Sequence, residues 1–179
     1  STGSIGRELL DIVIKNRNEF EISLLTANKS HKSLLSQAKK FNVKNLIILD
    51  KKSYNILKKK TQNLNINIYN NFNCFNKIFR NKIDYVMSSV VGIGGLEPTI
   101  KIIKFTKKIV IANKESIICG WNLIKIELKK YNTEFIPVDS EHFSLWYGLI
   151  NLNISNVEKI YLTASGGPFH KTPLNKFKK

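Results

Sequence analysis

Pro137-Val138-Asp139-Ser140-Glu141-His142 sets two carboxylates two residues apart, after an apolar run and ahead of a helical pattern. Asp139 and Glu141 can give oxygen ligands to a hard divalent cation, and the Ser140 hydroxyl between them can donate to a polar substrate. The same residues could instead cap a helix, because an acid or hydroxyl at a helix start satisfies its first N–H groups. Carboxylate-rich donor sets favour Mg2+ or Mn2+ over zinc, so His142 is assigned a structural or supporting part.

Four other segments have comparable potential. Thr2-Gly3-Ser4-Ile5-Gly6 reads as a glycine-rich turn entering a helix, where a pyrophosphate can approach the backbone and meet unpaired N–H groups. A tight turn alone would look the same. Asn28-Lys29-Ser30 follows a second apolar run. A dinucleotide site selective for NAD places an acid there to hold the ribose 2′-hydroxyl; a lysine among small polar groups suits a 2′-phosphate, hence NADP. Ala112-Asn113-Lys114-Glu115-Ser116 offers an amide, a cation and an acid that can divide between cofactor and substrate. Ser165-Gly166-Gly167 lies within Thr163–Phe169 and would make a backbone-rich turn fit for phosphate oxygens. A helix cap and a flexible loop, respectively, explain these last two equally well.

The elements that must carry these segments alternate. Short apolar, β-branched runs are expected as strands at Glu21–Thr26, Asn45–Leu49, Asn65–Tyr69, Asp84–Ser88, Lys108–Ala112, Glu134–Val138 and Lys159–Thr163. Helices are expected at Ser4–Asn16, Lys32–Phe41, Lys51–Lys60, Phe72–Phe79, Gly95–Thr106, Glu115–Tyr131 and Glu141–Ile150. Leu46-Ile47-Ile48-Leu49 and Ile109-Val110-Ile111 are apolar at every position, as strands of a sheet covered on both faces are. In the first helix Ile5, Leu9, Ile12 and Val13 define the expected buried face. This rhythm predicts an α/β fold, a mostly parallel, doubly wound sheet. Such a sheet normally has a central strand ahead of the glycine-rich turn, and that strand is expected upstream of Ser1.

Composition bounds the function classes. The 179 residues carry 29 Lys and Arg against 13 Asp and Glu, a formal net charge of +16, with 42% hydrophobic residues. That rules out a disordered chain and raises nucleic acid as a partner. Yet the basic residues are 26 Lys and only 3 Arg, alongside 25 Ile and 21 Asn. All three abundant types have A/T-rich codons, and arginine, the better reader of phosphates and base edges, is scarce. Neither nucleic acid nor a membrane is expected as a partner. The basic, aromatic-interleaved stretch from Lys58 to Asn81 is read as a solvated face over core aromatics. Cys74 and Cys119 build neither a disulfide framework nor a zinc cluster, which fits a reducing cytoplasm. No apolar run approaches the ~18 residues of a membrane span; the longest, Tyr85 to Leu96, is interrupted by Ser and Gly.

Taken in order, Ser1-Thr2-Gly3-Ser4-Ile5-Gly6, Gly92-Ile93-Gly94-Gly95-Leu96-Glu97-Pro98-Thr99, Ala112-Asn113-Lys114-Glu115-Ser116, Pro137-Val138-Asp139-Ser140-Glu141-His142 and Ser165-Gly166-Gly167-Pro168-Phe169 closely resemble the 1-deoxy-D-xylulose 5-phosphate reductoisomerase family. The resemblance runs along the whole chain but covers only the amino-terminal half or so of a full-length member. It implies a Rossmann-type NADPH-binding domain at residues 1–133 and, at 134–179, the beginning of an α+β catalytic domain. It implies NADPH contacts from Thr2, Gly3, Ser4, Ile5, Asn28, Lys29, Ser30, Asn113 and Glu115. Substrate, a sugar phosphate, would meet Lys114, Ser140, Glu141 and Ser165; Mg2+ or Mn2+ would be held by Asp139 and Glu141; Lys114, Asp139 and Glu141 would be the catalytic set. Rearrangement followed by reduction, in a cytoplasmic homodimer of the non-mevalonate isoprenoid pathway, is the implied activity. Two positions depart from the family pattern: Ser30 stands where Asn is common, and Phe143-Ser144-Leu145-Trp146-Tyr147 replaces a small residue followed by Ile-Phe-Gln. The remaining metal carboxylate, lid and helical domain of the family would lie beyond Lys179. The rivals are another NADP-linked Rossmann dehydrogenase, which would need a nucleophilic Cys or a different base, and a basic nucleic-acid binder.

Overall fold

The computed structural model describes residues 1–161, Thr172, Pro173 and Lys176. Two compact units divide the chain, Ser1–Asp139 and Ser140–Lys179. The first alternates helix and strand: α1 (Ser4–Lys15), β1 (Leu25–Ala27), α2 (His31–Phe41), β2 (Asn45–Ile48), α3 (Lys51–Lys60), β3 (Asn67–Tyr69), α4 (Phe75–Ile78), β4 (Ile83–Ser88), α5 (Leu96–Ile103), β5 (Thr106–Ile111), α6 (Lys114–Tyr131) and β6 (Glu134–Pro137). Its strands form two three-stranded sheets, ordered β1-β2-β3 and β4-β5-β6, and every pairing is parallel. Parallel neighbours need a crossover, which the intervening helices supply. The α/β fold with parallel sheets is therefore as the alternation predicts.

The all-apolar strands are the deepest. Leu46, Ile47 and Ile48 of β2 are fully buried, as are Ile109 and Ile111 of β5 to within 1%. Ile47 packs with Ile102, Ile103, Ile109, Ile124 and the Phe75–Phe79 pair, while Leu46 and Ile48 face a second cluster with Leu10, Leu34 and Leu57. Alternation along β2 thus feeds two cores, one on each face. Phe72, Phe75 and Phe79, from the basic aromatic stretch, join Phe105 in a chain of tilted and edge-on rings.

Two helices turn into strands by the same device. Lys39-Lys40-Phe41-Asn42-Val43 ends α2 and Lys129-Lys130-Tyr131-Asn132-Thr133 ends α6. Asn42 (φ 54°) and Asn132 (φ 48°) take the left-handed conformation that asparagine tolerates better than most residues. The next residue is buried in each case and its N–H returns to the helix, Val43 to the Ala38 carbonyl at 2.9 Å and Thr133 to the Leu128 carbonyl at 3.0 Å. Lys82 adds a further cap on the second, donating to the Tyr131 carbonyl and, at 3.4 Å, to Thr133 Oγ1.

Several elements differ from the sequence expectation. The buried face of α1 is Gly6, Leu10 and Val13, whereas Ile5 and Ile12 are 41% and 55% exposed. Gly6 is seated closely against the Ser1 backbone, a contact that hydrophobicity does not report. The first strand begins at Leu25 rather than Glu21, Leu25 being the first residue to pair with β2, opposite Leu46. α5 stops at Ile103, since Thr106 already pairs with Ile83 in the β4–β5 ladder. Phe72–Phe79 splits into a 3-10 turn, Phe72–Cys74, and the short α4. Lys159–Tyr161 forms no strand, and the rest of that expected strand lies outside the described residues.

The second unit contains α7 (Ser140–Leu149), none of whose residues is buried, and a 3-10 turn at Ile154–Asn156. Phe143 stacks on Tyr147, with ring centres 5.8 Å apart, and tilts against Trp146 at 5.7 Å.

Candidate functional site

Loops at the carboxyl ends of parallel strands are where α/β sheets place ligands; Asn28–Ser30 follow β1 and Asn113–Glu115 follow β5. Gly3 is the N-cap of α1, with neither a side-chain cap nor an acid in the first turn, and open space surrounds the position its Cβ would take. Gly6, one turn on, is the opposite case: a Cβ there would lie 2.6 Å from the Ser1 backbone. Ser1 is itself held against the end of β1, its nitrogen donating to the Thr26 carbonyl at 2.7 Å and its hydroxyl to Gln37 Oε1 at 2.8 Å. The α1 N-terminus therefore opens beside the β1–α2 turn, with uncapped N–H groups suited to a phosphate.

Asn28, Lys29 and Ser30 in that turn are exposed, and Ser30, the N-cap of α2, makes no side-chain capping bond. No acid occupies the first turn of α2 either. The next strand end supplies two residues that the sequence did not single out. Asp50 caps α3 by accepting from the Ser53 N–H at 2.8 Å, and the Ser53 hydroxyl donates to the Lys29 carbonyl at 3.0 Å. The Asp50 carboxyl is held below its ordinary range, first by the Ser53 N–H and further by the charges of Lys29 and Lys52. Asp-x-x-Ser ahead of a helix is a legible cap signal, but its reach to Lys29 is a tertiary contact.

Asn113 is 4% exposed and its side chain is fully engaged. Nδ2 donates to the Val90 and Gly92 carbonyls, the latter at 2.7 Å, while Oδ1 accepts from the Ser116 N–H at 2.7 Å and caps α6. One amide thus ties the loop after β4 to the start of α6. Gly92 (φ 73°) makes the turn, and at Gly95 a Cβ would meet the Val90 carbonyl oxygen at 2.5 Å as well as the Asn113 amide. Thr99, buried beneath, donates to the Gly95 carbonyl at 2.6 Å and shares a 2.6 Å hydrogen bond with Ser88. Lys114 and Glu115 are exposed in the first turn of α6.

Asp139 is half-buried, two residues past β6, and is the last residue of the first unit. In the second unit Ser140 opens α7, and its hydroxyl donates to Glu141 Oε2 at 2.9 Å; Glu141 and His142 are exposed. These donors are hard oxygens of the kind Mg2+ and Mn2+ prefer. Among the described residues no three His, Cys, Asp or Glu side chains gather as a metal cluster. Ser165 lies outside the described residues.

Residues 1–120 match the family model for 1-deoxy-D-xylulose 5-phosphate reductoisomerase, and residues 135–179 match that for the 1-deoxy-D-xylulose 5-phosphate reductoisomerase C-terminal domain. The chain belongs to the 1-deoxy-D-xylulose 5-phosphate reductoisomerase family. It is 57% identical over 180 residues to the reductoisomerase of Pelagibacter ubique, covering 99% of this chain and 46% of that protein. The Wolbachia pipientis reductoisomerase is 39% identical over 170 residues, 94% of this chain and 43% of the relative. The chain spans about half the length of the curated relatives it matches. Among solved structures, the Zymomonas mobilis reductoisomerase in complex with NADPH superposes with a TM-score of 0.85 at 33% identity, over 97% of this chain and 46% of that one. A reductoisomerase with fosmidomycin and magnesium gives 0.82 at 28%, over 98% and 46%. Among the described residues no helix is long and apolar enough to cross a membrane.

Proposed function

We propose that the full-length protein rearranges and reduces 1-deoxy-D-xylulose 5-phosphate to 2-C-methyl-D-erythritol 4-phosphate, using NADPH and a divalent cation, Mg2+ or Mn2+. The observation that carries this is that three candidate segments sit at helix starts, Asn28–Ser30 after β1, Asn113–Glu115 after β5 and Gly3–Gly6 next to Ser1, which bonds to β1, in a chain of this family. When bound, NADPH supplies hydride and the cation supplies Lewis acidity to the substrate oxygens.

The chain's own residues bind and orient. Thr2, Gly3, Ser4 and Ile5 present the uncapped α1 N-terminus to the pyrophosphate, and the lack of a Cβ at Gly3 lets it approach. Asn28, Lys29 and Ser30 receive the 2′-phosphate, with the Lys29 ammonium as its counter-charge. Asn113 shapes the loop facing the cofactor and Glu115 stands at its edge. Lys114 meets the substrate, together with Ser140, Glu141 and Ser165. Asp139 and Glu141 hold the cation. Residues 1–133 make the NADPH-binding part and 134–179 begin the metal- and substrate-binding part. The working form is a cytoplasmic homodimer acting on a small sugar phosphate rather than on nucleic acid or membrane.

The test is oxidation of NADPH by the full-length protein, followed by absorbance with 1-deoxy-D-xylulose 5-phosphate and Mg2+ present. Turnover should need substrate and cation together. Absence of substrate-dependent oxidation in a folded, NADPH-binding preparation would refute the assignment.

A further inference from the structure

Two turns at the carboxyl end of the first sheet are joined by three hydrogen bonds. The Leu49 N–H donates to the Ala27 carbonyl at 3.2 Å, the Asp50 N–H to the Asn28 carbonyl at 3.0 Å, and the Ser53 hydroxyl to the Lys29 carbonyl at 3.0 Å. The first two extend the β1–β2 pairing from backbone to backbone, so residue type hardly matters to them. The third depends on a side chain. Ser53 is 7% exposed in the first turn of α3, and its own N–H is fixed on Asp50 Oδ2. The Lys29 carbonyl also accepts from the His31 N–H at 2.7 Å, so its peptide is clamped by groups on both sides.

Lys29 itself is exposed. A lysine ends four flexible methylenes from its backbone and recognises phosphate as a point charge, without the rigid fork that helps arginine to aim. Where its backbone is anchored therefore decides how much entropy is lost in bringing the ammonium onto a phosphate. We propose that Ser53 is a positioning residue for Lys29: its hydroxyl fixes the peptide from which the ammonium reaches the cofactor 2′-phosphate, and so contributes to the preference for NADPH over NADH. The inference rests on the NADPH reading above and adds to it a residue on a different strand-to-helix turn, outside the phosphate-contacting set.

The experiment measures NADPH and NADH affinities of the full-length protein by calorimetry, for the unmodified form and for Ser53→Ala, Ser53→Thr, Lys29→Gln and the Lys29→Gln/Ser53→Ala double variant. Loss of one hydroxyl hydrogen bond should weaken NADPH binding about fivefold. NADH binding should be unchanged, because NADH has no 2′-phosphate for Lys29 to meet. Ser53→Thr, which keeps a hydroxyl, should restore the NADPH affinity. In the Lys29→Gln background Ser53→Ala should have no further effect, which is the signature of action through Lys29. Equal losses on both cofactors, an unmoved NADPH affinity, or full additivity with Lys29→Gln would overturn the inference. Failure of the cofactor reading looks different: the unmodified protein would bind NADPH and NADH alike.

Discussion

The side-chain amide of Asn113 donates to the Gly92 carbonyl at 2.7 Å, joining the loop after β4 to the first turn of α6. The two residues are 21 positions apart, and the same side chain caps α6 through the Ser116 N–H. A single buried amide therefore sets the geometry of two strand ends at once.

Replacing Asn113 should accordingly cost more than a helix cap. Asn113→Ala removes the cap and leaves two part-buried carbonyls without their donor, a loss on the order of 1–3 kcal/mol. Asn113→Ser keeps a capping oxygen and should recover about 1 kcal/mol of it. Urea unfolding of both variants decides the matter; equal midpoints for Asn113→Ala and the unmodified protein would show that the amide stabilises nothing.

Gly3 and Gly6 should separate binding from stability. Nothing lies within 4 Å of a Cβ at Gly3, so Gly3→Ala should leave the melting temperature nearly unchanged while weakening NADPH, whose pyrophosphate needs that space. At Gly6 the added methyl would run into the Ser1 backbone, so Gly6→Ala should lower the melting temperature by several degrees, roughly the effect of 1–3 kcal/mol of overpacking. Thermal unfolding and cofactor titration of the two variants should give opposite patterns.

Much of this architecture can be read from residue order alone, and the exceptions share a cause. Ile109-Val110-Ile111 announces a central strand because every position is apolar, and the structure buries all three. In α1 the apolar spacing points to Ile5 and Ile12, yet both are exposed, while the close approach of Gly6 to the Ser1 backbone has no hydrophobic signature. Asp139, Glu141 and Lys29 stand out by chemical type and place. Ser53 does not, since its partner lies 24 positions away on another turn. The clamp made by Asn113 is likewise a property of packing, although spacing alone marks the residue as a candidate.

Ser116 gives a prediction of the opposite sign. Its hydroxyl is buried in the first turn of α6 with no hydrogen-bond partner among the described residues. Desolvating an unpaired hydroxyl is unfavourable, so Ser116→Ala should be neutral or stabilising by up to about 1 kcal/mol. Denaturant unfolding of the variant tests it. A clear destabilisation would mean that the hydroxyl has a partner in the full-length protein.

Asp50 should make stability depend on acid pH. Its folded pKa is depressed below the ordinary value of 3.8, chiefly by the Ser53 N–H. A depressed carboxyl stabilises the fold above the unfolded value, and that contribution fades as pH falls through the folded pKa. Asp50→Asn should therefore lower the melting temperature at pH 6, and the gap from the unmodified protein should narrow below pH 3.8. A gap that stays constant down to pH 2 would show that charge plays no part in the cap.

Asp139 and Glu141 provide the test of the proposed cation site. They flank the boundary between the two compact units, two residues apart in sequence, with Ser140 donating to Glu141. If they share a divalent cation, Asp139→Asn and Glu141→Gln each remove one anionic oxygen ligand, and turnover of the full-length protein should fall by about two orders of magnitude or more. NADPH affinity should hardly move, because the proposed cofactor contacts lie at other helix starts. Raising Mg2+ or Mn2+ should recover part of the lost rate if the variants bind metal more weakly. Should the reverse pattern emerge, with normal turnover and metal affinity but reduced melting temperature, the two acids serve only the start of α7, as capping residues and partners of its dipole.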